Sequence, residues 1–121
     1  MHFMLLIAHG SRNQNANEEV KRLAERVYAQ SKNHYEAVIP AFLEFAEPDI
    51  ITGIGQCIER GASRITAMPY FLSAGNHVGR DIPAQIELAR SAHPDIDIEQ
   101  APHIGSVDSM ASLVAECTHE K

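Results

Sequence analysis

The chain has 121 residues, 45% of them apolar, and carries ten Lys and Arg against sixteen Asp and Glu for a formal charge of −6. That is enough apolar material for one core of ordinary domain size, and the acidic balance excludes the basic surface that neutralises phosphates along a nucleic acid. The apolar start "MHFMLLIA" lacks a basic n-region and a small-residue cleavage site and falls far short of the roughly 20 residues that span a bilayer, so no membrane partner is expected. Cys57 and Cys117 are far apart in the chain and form neither a CxxC site nor a disulfide framework, which fits a reducing cytoplasm.

In chain order, Phe3 to Ala8 reads as a short buried strand. A helix follows whose apolar positions Val20, Leu23, Ala24 and Val27 recur at i, i+3, i+4 and i+7, with Asn15 and Glu18 as its capping pair. Ala37 to Leu43 predicts a second strand. Pro48 in the first turn, with Asp49 beside it, opens a helix that turns Ile51, Ile54 and Ile58 inward and stops at Gly61. Arg64 to Phe71 predicts a third strand, followed by a helix with Ile82, Ile86 and Ala89 on one face that ends at His93 and Pro94. Ile96 to Ala101 is a less apolar fourth strand suited to an edge, and Val107, Met110, Val114 and Cys117 mark a last helix.

Strands alternating with helices imply an α/β fold: a small four-stranded parallel sheet, flavodoxin-like and doubly wound, with helices on both faces, in a single domain over residues 1–121. In such folds ligands sit beyond the carboxyl ends of the strands. The loops there begin at His9, Glu44, Leu72 and Pro102.

Three of those loops carry the polar chemistry. In "LIAHGSRN" His9 follows the first strand directly, Gly10 permits close approach of the backbone, and Ser11 and Arg12 come next. In "FLEFAEP" Glu44 and Glu47 close the second strand, where a carboxylate near a helix N-terminus is stabilised whatever else it does. In "SAGNHVGRDIP" Gly75 and Asn76 are expected at positive φ, turning the loop so that His77 points outward, while Asp81 caps the next helix and Pro83 sits in its first turn. Strands one and three are neighbours in the expected order, so His9 and His77 should face one another across a cleft. Two imidazoles with a carboxylate near suit a divalent transition metal held with free coordination positions. Of the other histidines, His2, His34, His93, His103 and His119 read as solvated or structural, and only His103 lies in a loop that could border the site.

The stretches "LLIAHGSRNQNANEE", "AFLEFAEPDI", "GASRITAMPYFLSAGNHVGRDIP" and "AHPDIDIEQAPHIG" together resemble the short form of the CbiX/SirB class of sirohydrochlorin chelatases, over nearly the whole chain. The resemblance implies a class II tetrapyrrole chelatase, a lyase that inserts Co²⁺, or in relatives Fe²⁺ or Ni²⁺, into sirohydrochlorin. The metal is then a substrate, and no permanently bound cofactor is implied. It assigns His9 as metal ligand and proton acceptor and His77 as second metal ligand, and it places substrate contacts on Glu47 and on Leu72, Ser73, Ala74, Gly75, Asn76 and His77. Short members of the class pair as homodimers, which implies a dimer with the cleft at or near its interface, lined by Phe42, Leu43, Phe45 or Phe71. Ala8 stands where a glycine is often found, and no histidine-rich tail follows.

The chemistry agrees with the residues. Insertion removes two pyrrole N–H protons, which calls for a neutral imidazole or carboxylate to accept them and for weak, exchangeable metal ligands. The carboxylates of the tetrapyrrole are expected to meet helix N-termini, backbone N–H groups of Ser11 and of Ser73 to Asn76, and the side chains of Arg12 and Arg80. Two other readings use the same residues: a carrier of metal or tetrapyrrole without turnover, and a histidine phosphatase, in which an arginine rather than Ala8 precedes the histidine.

Overall fold

A computed structural model describes residues 1–119, so the last two positions of the expected 1–121 domain lie outside the described residues. Four strands, β1 (His2–Ala8), β2 (Ala37–Phe42), β3 (Arg64–Pro69) and β4 (Asp97–Gln100), form one sheet in the order β2-β1-β3-β4. Every neighbouring pair is parallel. The connections carry α1 (Gln14–Ser31), α2 (Ile50–Glu59) and α3 (Ile82–Ala92), and α4 (Ser109–Cys117) follows β4. This is the expected parallel, flavodoxin-like arrangement.

The period-2 alternation of β1 divides the core between the two faces of the sheet. Phe3, Leu5 and Ile7 pack with Ile50, Ile54 and Cys57 of α2 and Ile82, Ile86 and Ala89 of α3. Leu6 and Met4 point the other way, toward Val20, Leu23, Ala24 and Val27 of α1. Each fully buried Ile or Phe contributes about 1.5–3 kcal/mol over leaving it exposed. Burial also pushes the Cys57 thiol up to about 11.

The boundaries differ from expectation where side chains compete for the helix ends. Asn13, not Asn15, caps α1, its side chain accepting the Asn15 N–H at 2.9 Å. Asp49 caps α2 through the Thr52 N–H at 2.8 Å, which leaves Pro48 before the helix rather than in its first turn. That cap rotates Ile50 into the core and leaves Ile51 exposed. Gly61 closes α2 at φ 101°, the left-handed conformation expected of it.

The last helix departs furthest. No residue of α4 is buried, and Val114 and Cys117 are exposed rather than inward. Instead of packing on the sheet, α4 borders an open apolar groove of about 550 Å³ whose floor is Met4, Leu6 and Met68 and whose walls include Leu23, Met110 and Leu113.

The outer strands are β2 and β4. Pro40 lies in β2, where an edge strand tolerates its missing N–H. At the amino end of the sheet a polar chain crosses three strands: His2 Nε2 lies 2.7 Å from the Thr66 hydroxyl, which donates to Glu99 at 3.0 Å, and Arg64 closes on the same carboxylate. Among the described residues no helix is long and apolar enough to cross a membrane.

Candidate functional site

Register puts the site together. Ile7 of β1 lies beside Ala41 of β2 and Pro69 of β3, so the loops after these three strands leave the same edge side by side. The ladder continues into them: the Leu43 N–H donates to the Ala8 carbonyl at 3.0 Å, Glu44 to His9 at 2.9 Å and Tyr70 to Ile7 at 2.7 Å.

His9 and Glu44 meet because Gly10 has no side chain. Gly10 adopts φ 92°, and a Cβ there would overlap the Glu44 carbonyl oxygen. With the backbones so close, His9 Nε2 lies 3.2 Å from Glu44 Oε2. The other ring nitrogen, Nδ1, is 3.0 Å from the Gly10 carbonyl. Both partners only accept hydrogen bonds, the Gly10 carbonyl at Nδ1 and an ionised Glu44 at Nε2, so either ring nitrogen of His9 has an acceptor for its proton.

The turn after His9 is held from below by Asn17, the one polar side chain in the core among the described residues. Its amide accepts the Ser11 N–H at 2.9 Å and donates to the Ser11 carbonyl at 2.8 Å. The Ser11 hydroxyl accepts the Asn13 N–H at 3.0 Å. Ser11 is thereby committed to shaping the loop, and its backbone N–H, expected to meet an anionic substrate group, already has a partner.

The loop after β2 projects Phe45, an exposed aromatic at φ 67°, a conformation that costs a bulky residue of order 1–3 kcal/mol. The Arg12 guanidinium lies over its ring at 5.0 Å, and the His9 ring is 6.4 Å away. Glu47 is exposed two residues further on, in a crevice shared with Glu44, Phe45 and Thr52.

The loop after β3 leads through exposed Leu72, Ser73, Ala74, Gly75 and Asn76 into a π-helical turn, His77–Asp81. Positive φ is not what shapes it. Asn76 is right-handed at φ −61°, Gly75 is not at positive φ, and the left-handed residues of the site are Gly10 and Phe45. Asp81 also departs from its expected role: it makes no side-chain cap on α3 and instead holds His77 Nδ1 at 2.9 Å. Pro83 does occupy the first turn of α3.

The outcome is that His9 and His77 face one another, ring centroids 4.7 Å apart and edge to face. Glu44 and Asp81 flank them, lining one crevice with His77 and Leu43. Of the aromatic residues expected along the cleft, Phe45 is exposed, Phe71 is half-buried 6.4 Å from His77, and Phe42 is wholly core. Arg80 is exposed beside Asp81, at 3.9 Å. Asn17 was the residue with no clear mark in sequence, since a polar residue early in a helix reads as solvent-facing.

Fold and site together define a class of protein: a small parallel α/β domain with an open pair of imidazoles at the carboxyl ends of adjacent strands. The CbiX family matches residues 3–121, and the chain belongs to that family. It is 38% identical over 93 residues to a sirohydrochlorin cobaltochelatase of Methanocaldococcus jannaschii, covering 77% of this chain and 64% of that protein. Against a sirohydrochlorin ferrochelatase of Bacillus subtilis it is 31% identical, over 92% of this chain and 42% of the other. The solved structure of a CbiX protein from Marinobacter aquaeolei VT8 superposes with a TM-score of 0.82 at 30% identity, covering 97% of this chain and 93% of that one. The chain thus spans 64% and 42% of the two curated relatives, less than two thirds of each, and nearly all of the solved one.

Proposed function

We propose that the chain is a sirohydrochlorin chelatase, a lyase that inserts a divalent metal, Co²⁺ in the first place and Fe²⁺ or Ni²⁺ as alternatives, into the metal-free tetrapyrrole. The observation that carries this reading is the facing of His9 and His77, ring centroids 4.7 Å apart, with Asp81 at Nδ1 of His77 and Glu44 at Nε2 of His9. Two neutral nitrogen ligands hold a metal loosely enough for the macrocycle to replace them one at a time, as a closed thiolate site would not.

The same geometry handles protons. When the metal passes from His9 to the macrocycle, Nε2 is free to accept a pyrrole proton, and Glu44 Oε2, 3.2 Å away, stabilises the imidazolium that forms. Glu47 and the rim from Leu72 to Asn76 are assigned to the substrate. Arg12 and Arg80 supply positive charge for its carboxylates, which matters in a chain of net charge −6. The free thiols of Cys57 and Cys117 suit a reducing cytoplasm.

One lobe gives a flat macrocycle one wall. We infer a homodimer that supplies the second, and the apolar groove beside α4 supports this, since it runs to Tyr70 and Leu72 at the rim of the site. An absorbance assay of sirohydrochlorin with Co²⁺, Fe²⁺ and Ni²⁺ tests the activity. Insertion faster than the spontaneous rate with at least one metal is expected, and no rate above it with any of them overturns the reading in favour of a carrier. Sedimentation of the purified chain tests the dimer.

A further inference from the structure

We propose that Asp81 is the positioning residue of His77, its carboxylate fixing the ring's tautomer and orientation so that Nε2 is presented to the metal. This rests on the reading of His77 as a metal ligand. Three observations carry it. Asp81 Oδ2 lies 2.9 Å from His77 Nδ1, and an ionised carboxylate only accepts, so the proton resides on Nδ1 and the lone pair on Nε2. Asp81 does not cap α3: it stands at the N-cap position with right-handed backbone and no capping hydrogen bond, and its other oxygen has only exposed Arg80, at 3.9 Å. Finally, the backbone between the two residues is a single π turn, closed by the Ile82 N–H on the His77 carbonyl and anchored by buried Val78. Such turns recur at functional sites, and here the turn sets His77 and Asp81 on one face.

The arrangement is that of a ligating histidine whose second nitrogen donates to a carboxylate, which fixes the tautomer and orients the ring. It also makes the two histidines unlike. His9 has a neutral backbone carbonyl at Nδ1 and its carboxylate at Nε2, whereas His77 has its carboxylate at Nδ1, behind the ring. Asp81 thereby equips His77 to hold the metal while His9 exchanges metal for proton.

The test uses the full chain without metal, ¹⁵N-labelled and held near pH 9, where an ordinary imidazole with a pKa of about 6.5 is neutral. Long-range ¹H–¹⁵N correlation reads the tautomer of each ring. The wild type is expected to show His77 as Nδ1–H, and D81A a mixture that includes Nε2–H. D81N, whose amide can donate as well as accept, should also admit Nε2–H, and it serves where D81A fails to fold. Calorimetric titration with Co²⁺ should then show affinity about 10- to 100-fold weaker in D81A than in the wild type. Wild-type His77 found as Nε2–H, or D81A within twofold of the wild type for Co²⁺ while H77A is weakened, overturns the proposal. If H77A binds Co²⁺ as the wild type does, the ligand reading of His77 itself falls, and the proposal with it.

Discussion

The rings of His9 and His77 stand edge to face, 4.7 Å between centroids, and the parallel pairing of β1 with β3, from His2 and Arg64 to Ile7 and Pro69, brings the two loops that carry them to one edge. The sheet brings the two loops together, while the partners of each ring come from its own surroundings: Asp81 for His77, the Gly10 carbonyl and Glu44 for His9.

Replacing His9 by Ala should lower the chelation rate by about 10²- to 10⁴-fold, the usual worth of a positioned proton acceptor, with binding of metal-free sirohydrochlorin retained. E44Q should cost less than tenfold, because the His9–Glu44 pair is exposed on both sides and such pairs contribute only about 0.2–1 kcal/mol. Single-turnover absorbance measures both. An E44Q loss as deep as that of H9A would move the proton acceptor from His9 to Glu44.

Gly10 and Phe45 both hold left-handed backbone, and substitutions there should act in opposite senses. G10A forces a Cβ onto the Glu44 carbonyl, so it should destabilise the chain and misplace His9 and Glu44 together. F45G relieves the strained backbone at an exposed position and should raise the unfolding free energy by about 1 kcal/mol while weakening sirohydrochlorin binding, since the exposed ring beside His9 is lost. Urea unfolding and ligand titration read the two effects. Unchanged substrate affinity in F45G would remove Phe45 from the binding surface.

Asn17 satisfies both backbone groups of Ser11 from inside the core. Leucine of similar size leaves that N–H and carbonyl without partners, so N17L should cost about 1–3 kcal/mol despite being the more apolar side chain. Because the loop it supports carries His9, chelation should fall more than folding does at temperatures where N17L remains native. Equal or greater stability of N17L in urea would refute this account of the loop.

Acid should weaken the fold in two steps. Burial, with a further push from Arg64, holds the His2 imidazole below its ordinary value of 6.5, and hydrogen bonds from Arg64 and Thr66 hold the Glu99 carboxyl below its ordinary 4.5. Both groups are depressed in the folded chain, so the unfolded chain binds protons first as pH falls. The stability they contribute is present near neutrality, starts to decline below about 6.5 through His2, and declines again below about 4.5 through Glu99. Urea midpoints across this range should show H2Q lacking the upper step and E99Q the lower. A wild-type minus H2Q difference that grows toward acid pH would reverse the sign and defeat the explanation.

The sheet and its polar edge were legible because they rest on strong local patterns: continuous apolar runs for β1 and β3, a 3.6-residue period for α1, and punctuation at Gly61 and His93. The pairing of His9 with His77 followed from strand order alone. What stayed hidden depends on one atom meeting another across the fold. Asn13 and Asn15 are equivalent cap candidates until the Ser11 hydroxyl and Asn17 fix the loop, and Ile50 and Ile51 exchange places with the position of the cap. Asp81 carries a spacing of four from His77 that is visible in sequence, yet the helix that follows makes capping the simpler reading. Gly75 and Asn76 look like turn residues by type, whereas the strained backbone falls on Phe45, whose type argues against it. The last helix shows an apolar stripe, and the sequence cannot tell whether that stripe faces its own sheet or an open groove.

Pro40 has a consequence for how copies of this chain meet. Pro40 breaks the row of donors along β2, and on the other side β4 is only four residues long and carries Asp97 and Glu99. Edges treated in this way resist the addition of a further strand. The edges are thus poor templates for a neighbouring sheet, and the groove beside α4 is an apolar surface on a helical face. A lobe finished at both edges is a closed unit, not a template for more strands.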